Sequence, residues 1–340
     1  MSISQPGSAK LSAIQNRDWK VEISESFRGI GSLLSFCEIK RSDVDVTSDS
    51  AFMFRVTRYF ASLIEKGNPL DPLLLQVLPN TAEAHIVPGY SRDAVGDRLC
   101  MPIPGLIHKY HGRVLFTLTG ACAIHCRYCF RRHFPYAEAS VDYKPGSPAM
   151  EYLAENTDVN EVILSGGDPL MMSDEKLADL ISNLNRIPHI HLLRIHSRLL
   201  SVLPERVNPS FIATINAFKG RVVFVTHINH PNEISERNRQ AFQLLSRQGY
   251  TLFNQSVLLK RVNNSAQILA ELSNSLFEAR IQPYYLHRLD KVQGAAHFDL
   301  GMQESKTIYS ELRNRLPGYL LPSLVEEVAG QKSKTAIHCD

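Results

Sequence analysis

The 340-residue chain has only six cysteines, one tryptophan, no long apolar run and little net charge, and each shortage narrows what it can do. No stretch approaches the roughly 18 consecutive apolar residues of a membrane-spanning helix, which excludes such a span. A formal charge of +3, with Lys and Arg scattered along the chain, gives no electrostatic case for binding nucleic acid. Residues 1–10 are polar with Gly and Pro and lack the apolar centre of a signal peptide. Six unevenly placed cysteines do not make a secreted disulfide framework, so the expectation is a cytoplasmic protein in a reducing compartment. With 44% hydrophobic residues the chain can still bury a large core, as one domain with an extension or as two domains.

Three of the six cysteines fall within eight residues, Cys122-Ala-Ile-His-Cys126-Arg-Tyr-Cys129. Three thiolates can hold three irons of a 4Fe–4S cube, which usually takes four cysteines, and leave the fourth iron open for a ligand that is not protein. A zinc site completed by His125 or His133 is the rival reading, and with it a metal-binding interaction module that is not an enzyme. Structural zinc sites usually pair two knuckles, however, and Cys37, Cys100 and Cys339 stand alone. No role follows for those three.

The first hundred residues are irregular. Helices are expected around Arg17–Phe36 and Ser50–Lys66, then turns at 68–71 and a loop-rich stretch punctuated by Pro79, Pro88, Pro102 and Pro104. From Val114 onward the pattern is regular. Short β-branched runs begin near Val114, Glu161, Leu192, Val222, Thr251 and Gln282, the last five recurring about every thirty residues, the length of a strand plus a crossover helix. Between them apolar residues recur with helical period: Leu177, Leu180, Ile181 and Leu184; Ala241, Leu244 and Leu245; Ile268, Leu269, Leu272 and Leu276. Six such units give an α/β fold with a parallel sheet, either doubly wound or curled as a partial (β/α)6 barrel. Polar residues at the strand ends favour the barrel, because active sites of parallel barrels gather on that rim. The cysteines follow the first strand, Ser165-Gly166-Gly167-Asp168 the second and His196-Ser197-Arg198 the third. His227 and His230 follow the fourth, Gln255 lies in the fifth, and Asp290 closes the sixth.

The cysteine spacing after a first barrel strand resembles the cluster motif of the radical S-adenosylmethionine enzymes. Gly105-Leu-Ile-His-Lys-Tyr110, Cys126-Arg-Tyr-Cys-Phe-Arg-Arg132, Ser165-Gly-Gly-Asp-Pro-Leu170, His227-Ile-Asn-His-Pro-Asn-Glu233, Asn254-Gln-Ser-Val-Leu-Leu259 and Pro283-Tyr-Tyr285 together resemble the lysine 2,3-aminomutase family, from about Phe54 to Lys334. The resemblance implies a 4Fe–4S cluster on Cys122, Cys126 and Cys129 whose open iron chelates S-adenosylmethionine, and a 5′-deoxyadenosyl radical made from it. It also implies pyridoxal 5′-phosphate, held as an imine by Lys334, with Lys332 the competing residue. Gly166, Gly167 and Asp168 would meet the methionine end of S-adenosylmethionine, the acid accepting from its ammonium, with His227, His230 and Gln255 near the adenosyl group. Tyr110 and Arg113 would lie around the pyridoxal ring or its phosphate. Arg131 would pair with the substrate α-carboxylate, and Asp290 with Glu327 would hold its ε-ammonium; Glu327 stands where the family has an aspartate.

Arg131-Arg-His-Phe-Pro-Tyr136 and Gln293-Gly-Ala-Ala-His-Phe298 resemble one branch, the bacterial aminomutases that serve β-lysylation of elongation factor P. That implies free L-lysine as substrate, (R)-β-lysine as product and a functional link to the ligase that attaches it. A lysine-catabolic enzyme, or one acting on another cationic amino acid, is the alternative. The expected organisation is a mainly helical region at 1–104, the partial barrel at 105–300 and a segment at 301–340 carrying the pyridoxal lysine. A homo-oligomer is compatible with the irregular N-terminal hundred residues.

Overall fold

The computed structural model describes residues 18–47 and 52–339. Its centre is one nine-stranded sheet in chain order: β1 (Leu106–Tyr110), β2 (Arg113–Thr117), β3 (Glu161–Ser165), β4 (Leu192–Ser197), β5 (Arg221–Thr226), β6 (Thr251–Val257), β7 (Gln282–His287), β8 (Ser323–Glu326) and β9 (Thr335–Ala336). Strands β2 to β8 run parallel, and β1 and β9 pair antiparallel at the two edges, so the sheet stays open.

The six strands expected from sequence are β2 to β7. Each is followed by a helix: Pro148–Glu155, Asp174–Leu184, Pro209–Asn216, Glu236–Arg247, Ala266–Glu278 and Met302–Arg313. The apolar stripe of Asp174–Leu184 is buried at Leu177, Leu180, Ile181 and Leu184, as its period requires. In the later helices Leu244 and Ile268 are only half-buried, and Phe242 and Ala266 take up the packing. Strands β1, β8 and β9 were not foreseen, because four residues or fewer, or a polar run such as His-Lys-Tyr, carry no usable period.

The N-terminal region is helical in short pieces. The expected long helix is broken into Trp19–Ser24 and Ile30–Phe36, with Phe27 paired to Val56 between them. Of the second, only Arg58–Ser62 is helical; Arg17, Ser50 and Ala51 lie outside the described residues. These pieces share one continuous apolar core with the barrel, from Trp19 and Leu33 through Phe116 to Ile281. Among the described residues no helix is long and apolar enough to cross a membrane.

Side chains of a strand alternate between faces. One face of the sheet packs under the helices. The other turns Leu115, Ile163, Arg194, Val223, Gln255 and His287, one from each of β2 to β7, onto a single cavity of about 540 Å³. A sheet that turns residues of β1 to β7 onto one cavity is curled into a partial barrel.

Candidate active site

Cys122, Cys126 and Cys129 lie in the loop that leaves β2, held from three sides. Arg55 Nη1 donates to the Cys122 carbonyl at 2.9 Å, and the backbone N–H of Arg127 donates to the Gln76 carbonyl at 2.9 Å. Glu83, itself buried, receives both Arg127 and Arg132, which flank Cys129, and Phe52 lies under both guanidiniums. Burial, and the other thiols nearby, push the Cys122 and Cys129 thiols up, Cys129 to about 11; Cys126 rises from burial. A group of soft donors this costly to ionise alone fits a cationic iron centre that would take them as thiolates. No three His, Cys, Asp or Glu among the described residues converge as the shell of one ion.

Gly166 and Gly167 press against this loop. Gly166 has φ +118°, and an added Cβ would stand 2.8 Å from the Thr119 carbonyl oxygen; at Gly167 it would stand 2.5 Å from that of Ala121. Only glycine permits both the backbone angle and the approach. The N–H groups of Gly167 and Asp168 donate across the gap to Thr119 and Ala121 at 2.7 and 2.9 Å.

The Asp168 carboxylate has a task that the sequence did not reveal. Oδ1 accepts from Leu170 N at 3.0 Å and Ser197 Oγ at 2.8 Å; Oδ2 accepts from the N–H groups of Arg198 and Leu199, both at 2.8 Å. These four donors fill a carboxylate's acceptor positions, so the geometry makes Asp168 a bolt between the ends of β3 and β4 rather than an acceptor for a ligand's ammonium. Asp168→Ala would strand four buried donors and should destabilise the protein by about 3 kcal/mol or more. Denaturant unfolding without any ligand tests this. An unchanged midpoint with weakened S-adenosylmethionine binding would return Asp168 to the ligand.

The cavity gathers Tyr110, Arg113, Arg131, Gln255, Asp290, Glu327 and Lys334. Lys332 is exposed and outside it, whereas Lys334 points in. Lys334 Nζ donates to Glu327 Oε2 at 2.9 Å and lies 5.8 Å from the Tyr285 ring centre. Tyr110 donates to the other oxygen of Glu327, and the Arg113 guanidinium stacks on the Tyr110 ring at 4.8 Å. Arg131 Nε donates to Asp97 Oδ2 and its Nη1 to Ser165 Oγ, both at 2.9 Å.

The two candidate ammonium-binding carboxylates are poised in opposite senses. Burial pushes Asp290 up to about 7, with Glu327 and Asp97 adding to the rise and Lys334 and Lys109 opposing it. For Glu327 burial acts the same way, but Lys334, Tyr110 and Lys109 more than offset it and hold the carboxyl below its ordinary range. Asp290 makes no side-chain hydrogen bond or ion pair among the described residues.

His230 is a correction. The strand-end run His227-Ile-Asn-His230 offered both histidines, but only His227 lines the cavity, within 3.5 Å of Gln255. His230 turns away to begin the short helix Pro231–Glu233, where its Nδ1 accepts from Asn232 N at 3.2 Å. The structure also brings in residues that sequence reasoning left unassigned. His196 and His287 line the cavity with buried, unpartnered Nε2 atoms. Burial lowers His196, His227 (to about 3) and His287, so all three are neutral. Arg194 and Glu161 form a two-pronged pair at 2.8 and 2.9 Å. Inward parity in strands β4 and β7 is the signal that would have found Arg194, His196 and His287. Asp97 and Lys109 had no such signal.

This donor set fits the implied groups. An amine on a cavity wall, an aromatic surface beside it, Arg113 with no carboxylate partner among the described residues and orphaned imidazole nitrogens are what a pyridoxal phosphate and a nucleoside-containing cofactor would use.

Residues 111–191 match the family model described as a 4Fe-4S single cluster domain. Over 330 residues the chain is 46% identical to the L-lysine 2,3-aminomutase of Escherichia coli (strain K12), covering 96% of each. It is 44% identical to the enzyme of that name from Haemophilus influenzae, over 94% of this chain and 96% of that one. To the L-lysine 2,3-aminomutase of Clostridium subterminale it is 33% identical, over 94% of this chain and 77% of that one.

Proposed function

The chain belongs to the radical S-adenosylmethionine lysine 2,3-aminomutase family, and on that premise we propose that it isomerises free L-α-lysine to (R)-β-lysine for attachment to elongation factor P. The observation that carries this reading is the convergence of Arg131, Asp290, Glu327 and Lys334 on one cavity beside the cluster loop. A cation-reading pair of carboxylates, an anion-reading guanidinium and a reactive amine in one site match a zwitterionic diamino acid. The branch assignment draws support from the sequence runs at 131–136 and 293–298 and from Glu327, one methylene longer than the family's aspartate. The product would pass to the elongation factor P ligase.

When bound, the cluster and S-adenosylmethionine supply a carbon radical, and pyridoxal phosphate supplies a π-system on the migrating nitrogen. Cys122, Cys126 and Cys129 would hold the cluster; Lys334 would hold pyridoxal phosphate, with Arg113 beside its phosphate. The chain's own residues do the positioning. Arg131 has five N–H donors, of which two are engaged, so its outer edge can take the substrate α-carboxylate. Glu327 holds the Lys334 ammonium; once that amine is committed, Glu327 is released to take the substrate's terminal ammonium instead. Asp290 supplies the second negative charge. The neutral histidines offer hydrogen bonds next to Lys334 without adding positive charge, and Ile107, Val114, Leu115 and Ile163 keep that part of the wall dry.

Anaerobically reconstituted protein given L-lysine, S-adenosylmethionine and a one-electron reductant should yield β-lysine, of R configuration on chiral analysis. No β-lysine would sink the proposal; the S product would sink only the branch assignment. In the same assay kcat/KM for lysine should fall below about pH 7, because a neutral Asp290 no longer attracts an ammonium. The kcat limb should lie at lower pH, since a bound ammonium favours the ionised carboxylate. Asp290→Asn should remove the limb and lower kcat/KM on the order of 10- to 100-fold. A profile flat from pH 8 to 6 would contradict the role of Asp290.

A further inference from the structure

We propose that Asp97 is a positioning residue for recognition of the substrate carboxylate, fixing the Arg131 guanidinium so that its outer edge faces the cavity. The inference rests on the reading of Arg131 given above and extends it to a residue from the loop that precedes β1.

Asp97 is 3% exposed and lines the same cavity as Arg131. Its Oδ2 accepts from Arg131 Nε at 2.9 Å, and its Oδ1 pairs with Lys109 Nζ at 2.7 Å. Ser165 Oγ, from the end of β3, accepts from Arg131 Nη1 at 2.9 Å. One anchor would leave a long side chain free to pivot. Two anchors on different nitrogens fix both the position and the plane of the guanidinium, with the Phe130 ring 4.7 Å from Cζ on one side. The donors left over are one on Nη1 and two on Nη2, enough for a two-pronged contact with a carboxylate.

A lone carboxylate beside Arg131 would also cancel the charge that attracts the substrate. Lys109 removes that difficulty: two cations share one anion, and the group keeps a net positive charge. The same lysine reaches Glu327 at 3.6 Å, so alternating charges run from Arg131 to Lys334 and link the carboxylate end of the cavity to its ammonium end. Asp97 is itself fastened. Its N–H donates to Asp93 Oδ1 at 3.0 Å, and the preceding turn is stitched at Ser91 to Lys291 and Gln293, next to Asp290.

The test compares L-lysine with L-lysinamide, which lacks the carboxylate charge, on cluster- and pyridoxal-loaded protein. Calorimetric Kd and KM are both measured. Asp97→Asn should weaken lysine on the order of 10-fold or more while leaving lysinamide nearly unchanged, so the preference between them shrinks. Iron content and the visible spectrum should not move, and Asp97→Glu should recover part of the preference. Because Asp97→Asn leaves an unbalanced buried cation, Asp97→Asn/Lys109→Met, which removes one charge of each sign, is measured beside it; loss of the Lys109–Glu327 contact shifts both ligands there, and the expected result is again a smaller preference for lysine over lysinamide. A merely structural ion pair would weaken both ligands alike, and that result overturns the proposal. If Arg131→Lys abolishes the preference and the Asp97 variants keep it, Asp97 has no such role and the reading of Arg131 stands. If Arg131→Lys keeps the preference, the reading of Arg131 falls and takes this proposal with it.

Discussion

Replacing Cys129 with alanine should yield a colourless protein with turnover at the uncatalysed background, a loss of at least about 10⁶-fold. In the proposed site three thiols are the whole protein share of the cluster, so removing one would leave two irons without a protein ligand. The fold should survive, because the cysteine loop is held by Arg55, Gln76 and Glu83 rather than by the sulfurs. Iron content, broad visible absorption and β-lysine formation measured on one preparation check all three statements. A metal-binding module with zinc would be colourless before the substitution, and its far-ultraviolet spectrum would change after it. Cys37→Ala should change neither colour nor rate, since that thiol is buried in the N-terminal core.

Lys334→Ala carries the second large effect. In the proposed site its amine is the covalent anchor for pyridoxal phosphate, and without it activity should fall by at least about 10⁴-fold, the scale of losing a tethered reactant. The pyridoxal band should vanish after gel filtration while the iron–sulfur absorption stays. Lys332→Ala should keep both, because that side chain is exposed and outside the cavity. A band that survives Lys334→Ala and disappears with Lys332→Ala would reverse the assignment.

Local patterns made much of this molecule legible. The strand starts and the helix stripe of Leu177, Leu180, Ile181 and Leu184 follow from backbone periods of 2 and 3.6, which any window of sequence displays. The cysteine spacing is equally local. The errors have local causes too. His227 and His230 are three residues apart at a strand end, and nothing in their spacing says where β5 stops and the short helix begins. Asp168 read as a free acid because its four partners include residues from the far end of β4, about thirty positions away.

By itself the sequence determined six parallel strands with their crossover helices and the loop that carries three thiols, since each is set by short-range backbone chemistry; the order of the strands and the antiparallel edges came from the tertiary structure. Only the tertiary structure decided which side chains meet. Asp97, Lys109, Arg131, Asp290, Glu327 and Lys334 come from six separate places in the chain, and they share a wall because the sheet curls and its edge strands bring both ends to one cavity. Their charges, too, are set there. Burial drives Asp290 up, whereas Lys334, Tyr110 and Lys109 outweigh burial and hold Glu327 down, and these environments exist only once the cavity is assembled.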